Sequence, residues 1–290
     1  MESSDIRESY DFDGKEKRIA QTLLDNCPPL WKGAQSSSGL DCLIVLLRRI
    51  YSCFLTTTKG ITKDLGWIST SEAKNPILGH AWHVFGDSPE DVSRATKDRE
   101  KLEEALTSLS INPSASFEDL CTSTLMNETF WAQDVFCLTR VPFDAVTGER
   151  PNLSPDEIVE LSTLELDRSK TPGAVLQDVV DESFGLRTWK GTQLALIPSN
   201  PWIVRVDYRA DSNGGESLDI NAFEQMHLPI WRQREDKSNI CLEQVGITTY
   251  FLMAVVYLRG DTGRDYVRKY HAAGSNIIWI HMVCSTVAWI

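Results

Sequence analysis

The stretch WKGAQSSSGLDCLIVLLRRIY, residues 31–51, carries the strongest structural signal in the chain. Small and polar residues from Gly33 to Gly39 run directly into an apolar run from Leu40 to Ile50. Serine hydroxyls accept hydrogen bonds from the free amides of a first helical turn, so the pattern predicts a buried helix that begins near Ser38. The positive end of a helix also stabilises an anionic nucleophile. The stretch therefore fits either a helix whose start exposes a catalytic nucleophile or an ordinary capped core helix.

The overall composition is that of a globular protein with an acidic surface. Hydrophobic residues make up 42% of the 290 residues and charged residues 24%, which is ordinary for a domain with a substantial core. The formal net charge is -12 and the sequence pI is about 4.9. Nucleic acids and anionic membranes bind basic surfaces, so we expect neither as a partner. A protein partner with a basic surface is compatible with this charge.

Cysteine usage and the N-terminus indicate the compartment. The seven cysteines are scattered and form no Cys-x-x-Cys pair, which argues against a zinc ribbon and a dithiol redox motif. Residues 1–18 are charged and lack the apolar core of a signal peptide. No segment approaches the roughly 20 apolar residues that a membrane span requires. We expect an intracellular protein, cytoplasmic or nuclear, without a cofactor.

Two histidines, His80 and His83, are three residues apart in Gly-His-Ala-Trp-His. On a helix that spacing places two imidazoles where they can ligate one metal ion. No third ligand is apparent nearby in the sequence, so we interpret both as structural or surface histidines and predict no metal site.

The order of predicted elements is helices first and strands later. Residues 1–14 are polar and expected to be flexible. Helical patterns follow up to about residue 135, including one that starts at Ser88-Pro89, a cap followed by a proline in the first turn. Beyond Cys137 most segments read as strands, and the apolar run at 250–259 should be central in a sheet. This predicts an α+β fold, a single domain over 15–290 with a helical lobe (about 15–135) packed on an antiparallel β lobe (about 136–290) and a cleft between them.

Several motifs, in this order, resemble the ubiquitin-specific protease superfamily, whose fold is papain-like, and especially its SUMO-isopeptidase-like branch. Ser38-Gly39-Leu40-Asp41-Cys42-Leu43-Ile44 is similar to the nucleophile box of that family, with serine in place of the catalytic cysteine. Later segments similar to family motifs are the 174–184 helix, 196–205, Leu228-Pro229, 250–257, 265–267 and 278–281. The resemblance covers roughly residues 30–281. The paired cysteines of the zinc-binding fingers found in many relatives have no counterpart.

The resemblance implies a catalytic triad with altered residues. In the family a thiolate attacks the isopeptide carbonyl, a histidine handles the proton and an acid orients the histidine. Carried over by position, the nucleophile is Ser38, the histidine site holds Asp265 and the acid site holds His281. Serine is a poor nucleophile without a strong base. An Asp265–His281 hydrogen bond on paired strands would keep a Ser38–His281–Asp265 triad possible.

A second register makes Cys42 the nucleophile, with Gly39 at the position of the family's glycine. Cys42 would then have to start the helix rather than lie inside it. The histidine at 271 lies six residues beyond Asp265, about 20 Å along a strand, and cannot replace the family histidine without a further shift. Relatives place an amide side chain just upstream of the nucleophile as oxyanion donor, and Gln35 is the candidate here.

Three functions are consistent with these observations. The first is a catalytically impaired, ubiquitin-specific-protease-like domain that binds ubiquitin or a ubiquitin-like modifier, in other words a pseudoenzyme. The second is an active cysteine isopeptidase, acting on ubiquitin or SUMO conjugates, that uses Cys42. The third is an unrelated α+β protein. The three altered catalytic positions favour the first.

Overall fold

A computed structural model describes the chain at residues 4–12, 14–27, 29, 38–57, 60–61, 66–140, 142–210, 220–236, 239–258, 264–270 and 277–283. The chain divides into two compact units. The first unit contains Met1–Phe130 together with Thr262–Val267, and the second contains Trp131–Asp261 together with Arg268–Ile290. The first boundary lies close to the predicted change of lobe near residue 135. The return of a late segment to the first unit was not predicted.

The first unit is mainly helical. Its helices are α1 Ile6–Ser9, α2 Lys17–Asn26, α3 Ser38–Ile50, α4 Gly66–Glu72, α5 Pro76–His80, α6 Pro89–Ser108, α7 Phe117–Cys121 and α8 Thr124–Met126. A π-helical turn, Tyr51–Leu55, continues α3, and a short antiparallel pair follows, β1 Thr56–Thr57 with β2 Gly60–Ile61.

Helix α3 is the buried centre of this unit, as its sequence predicts. Leu40, Leu43, Ile44, Leu47 and Ile50 are each 0% exposed, because apolar residues occupy nearly every face of the helix. The described part of the helix, Ser38–Ile50, contains the whole of the predicted apolar run.

Two arginines at the end of α3 are buried, and each has partners that compensate its charge. Arg48 donates to the main-chain carbonyls of Cys27 (2.8 Å) and Ala81 (3.2 Å) and to that of His83. Arg49 forms an ion pair with Asp25 at 2.7 Å, and both side chains are 9% exposed. Burial lowers the pKa of Arg48 to about 10, which still leaves it charged at neutral pH. These contacts connect α3 to the segments around it.

Helix α6 begins where the Ser-Pro signal predicts. Ser88 is its N-cap, the Ser88 hydroxyl accepts from the Asp91 amide at 3.1 Å, and Pro89 is the first helical residue. The helix has many charged residues and buries a stripe that includes Ala95, Arg99 and Leu102. Within the described ranges, no helix combines the length and the apolar character needed to cross a membrane.

The structure describes residues 4–12 of the segment 1–14 that we expect to be flexible. Within 4–12, Asp5 caps α1, Ile6 is 1% exposed and Phe12 is buried. Arg7 forms ion pairs with Asp5 at 2.7 Å and with Glu72 at 2.9 Å. The two apolar side chains and the ion pairs give residues 4–12 contacts with the rest of the first unit, and flexibility of the segment stays a prediction.

The second unit contains most of the strands. Its helices are α9 Pro155–Leu161 and α10 Leu176–Glu182. The strands numbered from β3 are β3 Phe143–Asp144, β4 Thr163–Asp167, β5 Gly185–Trp189, β6 Thr192–Leu196, β7 Ile203–Arg209, β8 Gln225–Asp236, β9 Asn239–Tyr257, β10 Tyr266–Lys269, whose first two residues belong to the first unit, and β11 Ile277–Val283. Helices and strands therefore both contribute, which confirms the α+β class.

The largest sheet is mixed, which corrects the expected antiparallel β lobe. Its order is β10-β9-β11-β7-β4, and β8 also pairs with β9. Strand β11 runs parallel to both β7 and β9, β4 runs parallel to β7, and the β8–β9 pair is antiparallel. Apolar runs mark a strand but not its direction, so the sequence did not reveal the parallel pairs. Strand β9 is central, as its apolar run predicts.

Other boundaries differ from the sequence expectation for local reasons. Directly beyond Cys137, where the sequence pattern indicates strands, the described residues 138–140 contribute only an isolated bridge between Thr139 and Pro198, after a 3₁₀ turn at Asp134–Phe136. The next segment begins as helix α9 before it becomes strand β4, because Ser154 and Glu157 form a capping box that starts a helix. Strand β5 was not predicted, and it forms a three-stranded antiparallel sheet with β3 and β6.

Candidate functional site

The start of α3 is bonded to the segment that contains Asp265. The Ser38 hydroxyl oxygen accepts a hydrogen bond from the main-chain N–H of Asp265 at 3.1 Å, although the two residues are 227 positions apart. Both residues are half-buried and belong to the first unit. The structure thus brings together the residues at the nucleophile and histidine positions of the resemblance. The contact uses the amide of Asp265 and not its carboxylate.

The Asp265 carboxylate bonds to the start of α7. Its Oδ2 accepts from the main-chain N–H of Phe117 at 2.9 Å. Phe117 is the first residue of that helix, after the N-cap Ser116, whose hydroxyl accepts from the Asp119 amide at 3.1 Å. A carboxylate at this position satisfies a free amide and interacts favourably with the positive end of the helix. Asp265 therefore contacts the starts of two helices, α3 through its main-chain amide and α7 through its carboxylate.

Gly39 allows α3 to approach the same segment closely. A Cβ at position 39 would lie 2.5 Å from the carbonyl oxygen of Ala115 and 2.5 Å from the amide nitrogen of Phe117. These are main-chain atoms, so they cannot move aside as the tip of a flexible side chain would. The glycine in the Ser38-Gly39 pair thus has a packing role that is independent of any catalysis.

Cys42, the alternative nucleophile, lies one turn inside α3 with a side chain that is 5% exposed. Burial is the largest effect, and the charges of Asp265 and Asp41 add to it, so the pKa of the Cys42 thiol is well above its ordinary value. Reactive cysteines have a lowered pKa and partial exposure, and the surroundings of Cys42 have the opposite effect. In this state the thiol is protonated at neutral pH.

Asp41, which completes the box-like motif, forms an ion pair with a buried arginine on α6. The distance between Asp41 Oδ1 and Arg99 Nη1 is 2.9 Å, and the Arg99 side chain is 3% exposed. Arg99 Nε also donates to Glu103 at 2.9 Å. The carboxylates of Asp41 and Glu103 compensate the positive charge of the buried Arg99 guanidinium. Asp41 therefore has a structural role in the first unit.

The remaining predicted site residues cannot be placed with their side chains. Gln35 and the histidine at 271 lie outside the described residues. His281 lies on β11, opposite Asp207 of β7 and Val256 of β9, and only its main chain is described. Strand β9 stands between β10 and β11 in the sheet, so these two strands, whose pairing would allow an Asp265–His281 hydrogen bond, are not neighbours. The triad with His281 stays a prediction.

A second group of chemically active side chains lies elsewhere in the first unit. His80 Nδ1 is 3.0 Å and His83 Nδ1 is 2.7 Å from the same oxygen, Oδ2 of Asp98. Burial lowers the pKa of His80, while the two imidazoles hold the pKa of the Asp98 carboxyl far below its ordinary value against the effect of its own burial. The sequence indicated the histidine pair but not Asp98. The available signal was the spacing of Asp98 from the buried Ala95 and Leu102, which places it beside the inner face of α6.

Comparisons with known proteins identify no relative. No family model matches the chain, no curated protein matches its sequence, and no solved structure matches its fold.

Proposed function

We propose that this chain is a non-hydrolytic protein-binding domain, similar to a ubiquitin-specific protease, whose partner is ubiquitin or a ubiquitin-like modifier. The observation that supports it best is the Asp265–Ser38 hydrogen bond. In this bond the Ser38 hydroxyl accepts from a main-chain N–H, which cannot act as the base that a hydrolase requires. The choice of partner rests on the resemblance of the motifs.

The chemistry of the two positions supports loss of hydrolysis. A serine nucleophile requires a base that removes its proton as it attacks. The Asp265 group that reaches Ser38 is an amide N–H, which is a donor, and the Asp265 carboxylate accepts from Phe117. Among the hydrogen bonds of the described residues, Ser38 has no histidine partner. The two positions therefore hold the first unit together.

The surroundings of Cys42 also support a non-hydrolytic domain. A cysteine protease needs a thiolate that its substrate can reach. The Cys42 side chain is 5% exposed, and burial keeps the pKa of its thiol high. An active isopeptidase that uses Cys42 would need α3 to unwind by about one turn so that this residue stood at its start.

Two measurements on the purified chain test the proposal. The first titrates isotope-labelled ubiquitin, and separately SUMO, with the chain and follows chemical shifts. The second incubates the chain with each modifier carrying an electrophilic C-terminus. We expect saturable shifts for at least one modifier and no covalent adduct.

The outcomes separate the three candidate functions. Absence of shifts with both modifiers would remove the modifier-binding function and favour an unrelated α+β protein. An adduct that is lost in Cys42→Ala but kept in Cys137→Ala would replace the proposal with an active thiol isopeptidase. Cys137 is a suitable control because it is a half-buried thiol in the second unit.

A further inference from the structure

The histidine pair lies on a short, well-fixed turn. Helix α5 is capped by Asn75, whose side chain accepts from the Ile77 amide at 3.0 Å, and the helix ends at His80. The chain continues as a tight turn in which the His83 amide donates to the His80 carbonyl at 2.9 Å. A separation of three residues in such a turn brings both rings to one side. The ring centroids of His80 and His83 are 5.4 Å apart.

Surrounding residues hold this turn in place. Trp82, between the two histidines, is 1% exposed and stacks on Tyr51 of the core with ring centroids 4.4 Å apart. The buried Arg48 guanidinium donates to the carbonyls of Ala81 and His83. The N-terminal segment adds a bond from the Ile6 amide to the Trp82 carbonyl at 3.1 Å. The two imidazoles are therefore carried by a rigid part of the first unit, which is what a preorganised ligand site requires.

Helix α6 supplies a third ligand, the Asp98 carboxylate, at the point where the two rings converge. One atom from each of His80, His83 and Asp98 lies within 4.8 Å of the other two. Both Nδ1 atoms already face the same carboxylate oxygen, at 3.0 and 2.7 Å. Ligand atoms about 2.0–2.2 Å from a tetrahedral zinc ion are about 3.3–3.6 Å apart, so each imidazole nitrogen would have to move about 0.3–0.9 Å away from the carboxylate oxygen to admit the ion.

From this geometry we propose that His80, His83 and Asp98 bind a divalent transition-metal ion of the zinc type. Two imidazole nitrogens and one carboxylate oxygen are a donor set that suits zinc and its neighbours and not magnesium or calcium, which take oxygen ligands. The side chains are 9%, 26% and 20% exposed, so the site is shielded but open to solvent on one side. Water completes the coordination.

Binding would exchange protons for the metal. In the absence of metal, an Nδ1 that donates to Asp98 carries a proton, and ligation requires that nitrogen to be deprotonated. The metal then takes the place of the hydrogen-bonded protons between the rings and the carboxylate. Affinity is therefore expected to fall as the pH is lowered through the range in which histidine is protonated.

The test uses the metal-free 290-residue chain and two ions. Co²⁺ is added first, because a tetrahedral site with nitrogen and oxygen ligands gives visible absorption that octahedral Co²⁺ in water lacks. Zn²⁺ is then titrated by calorimetry in the presence of a competing chelator. We expect one equivalent of each ion to bind at one site, with Zn²⁺ displacing the Co²⁺ spectrum.

Variants assign the site, and circular dichroism confirms that each is folded. Asp98→Asn keeps the size of the side chain and His83→Gln affects the most exposed ligand, so neither should prevent folding. Each is expected to weaken Zn²⁺ binding at least about 100-fold, because loss of a direct ligand exceeds the 10–100-fold effect of second-shell changes. His227→Gln is the matched control, since that histidine lies in the second unit and bonds to Thr249 at 3.1 Å.

Three results would overturn the proposal. The first is the absence of a tetrahedral Co²⁺ spectrum with the wild-type chain. The second is Zn²⁺ binding by Asp98→Asn and His83→Gln with unchanged affinity. The third is a loss of binding in His227→Gln equal to that in the two ligand variants. In each case the cluster is a hydrogen-bonded structural group and not a metal site.

Discussion

At the scale of single residues, the start of α3 shows how a motif that suggests chemistry can serve packing. Ser38, Gly39 and Asp41 each have a structural partner: an amide, a closely approaching main chain and a buried arginine. Cys42 is part of the core. These partners lie up to 227 positions away, so the local pattern could predict a helix start but not what the helix start contacts.

The close approach at Gly39 gives a first prediction. Gly39→Ala should lower the free energy of unfolding by about 1–3 kcal/mol, because the added methyl group overlaps main-chain atoms of Ala115 and Phe117. Urea unfolding followed by circular dichroism measures the change. Gly79→Ala is the control: it is also helical, has open space at the Cβ position and should be neutral or slightly stabilising. Equal effects of the two substitutions would contradict the packing role.

The buried thiol of Cys42 predicts a dependence of stability on alkaline pH. Its pKa is raised in the folded state, so above about pH 8.5 the unfolded chain loses this proton while the folded chain keeps it. The stability it contributes is therefore complete at lower pH and lost as pH rises, by at most about 1.4 kcal/mol per pH unit.

The pH effect is measured as a difference between variants. Unfolding free energies of the wild type and Cys42→Ala are compared from pH 7.5 to 10, and the decline should be shallower in the variant. Cys27→Ala, which removes a half-buried thiol, is the control. Parallel curves for the wild type and Cys42→Ala would show that the thiol does not titrate differently in the two states.

At the scale of elements, the helices with strong local signals were predicted best. Ser88-Pro89 and the apolar run of α3 specify their helices through caps and periodicity that lie within one segment. Strand direction, the long β8–β9 pair and strand β5 depend on contacts between segments, which periodicity does not encode. Asp98 was missed for the same reason, since its partners are at the end of α5 and in the turn that follows it.

The cap of α6 gives a prediction at this scale. Ser88→Ala should destabilise the chain by about 1 kcal/mol, because the Asp91 amide loses its hydroxyl acceptor. Thermal unfolding at constant pH would show the loss as a lower midpoint. Ser93→Ala, at an exposed position inside the same helix, should leave the midpoint unchanged or raise it slightly. A larger loss from Ser93→Ala than from Ser88→Ala would argue against the cap.

At the scale of the whole molecule, sequence analysis predicted the α+β class and an early boundary between mainly helical and mainly strand-forming regions. It did not predict that 262–267 returns to the first unit. The reason is physical: Asp265 joins that unit through two hydrogen bonds to residues far earlier in the chain, and nothing in its local sequence specifies them.

The contribution of Asp265 to the stability of the first unit can be tested. Asp265→Ala should cost about 1.5–3 kcal/mol of unfolding free energy, because the charged acceptor of the Phe117 amide is removed. Asp265→Asn keeps an oxygen acceptor and should cost less. Chemical denaturation of the full chain compares both with Glu182→Ala, an exposed acidic residue of α10. A cost for Asp265→Ala no greater than that for Glu182→Ala would contradict the role of this link.

The Asp265–Ser38 bond also has a consequence for biosynthesis. Translation adds roughly 5–20 residues per second, so on the order of 10 s pass between synthesis of the first 130 residues and arrival of residue 265. During that interval the Ser38 hydroxyl oxygen at the start of α3 and the Phe117 amide at the start of α7 await a partner that has not yet been made. The helical unit is therefore expected to reach its final stability only near the end of synthesis, and nascent chains released before residue 262 should be the ones most exposed to proteolysis.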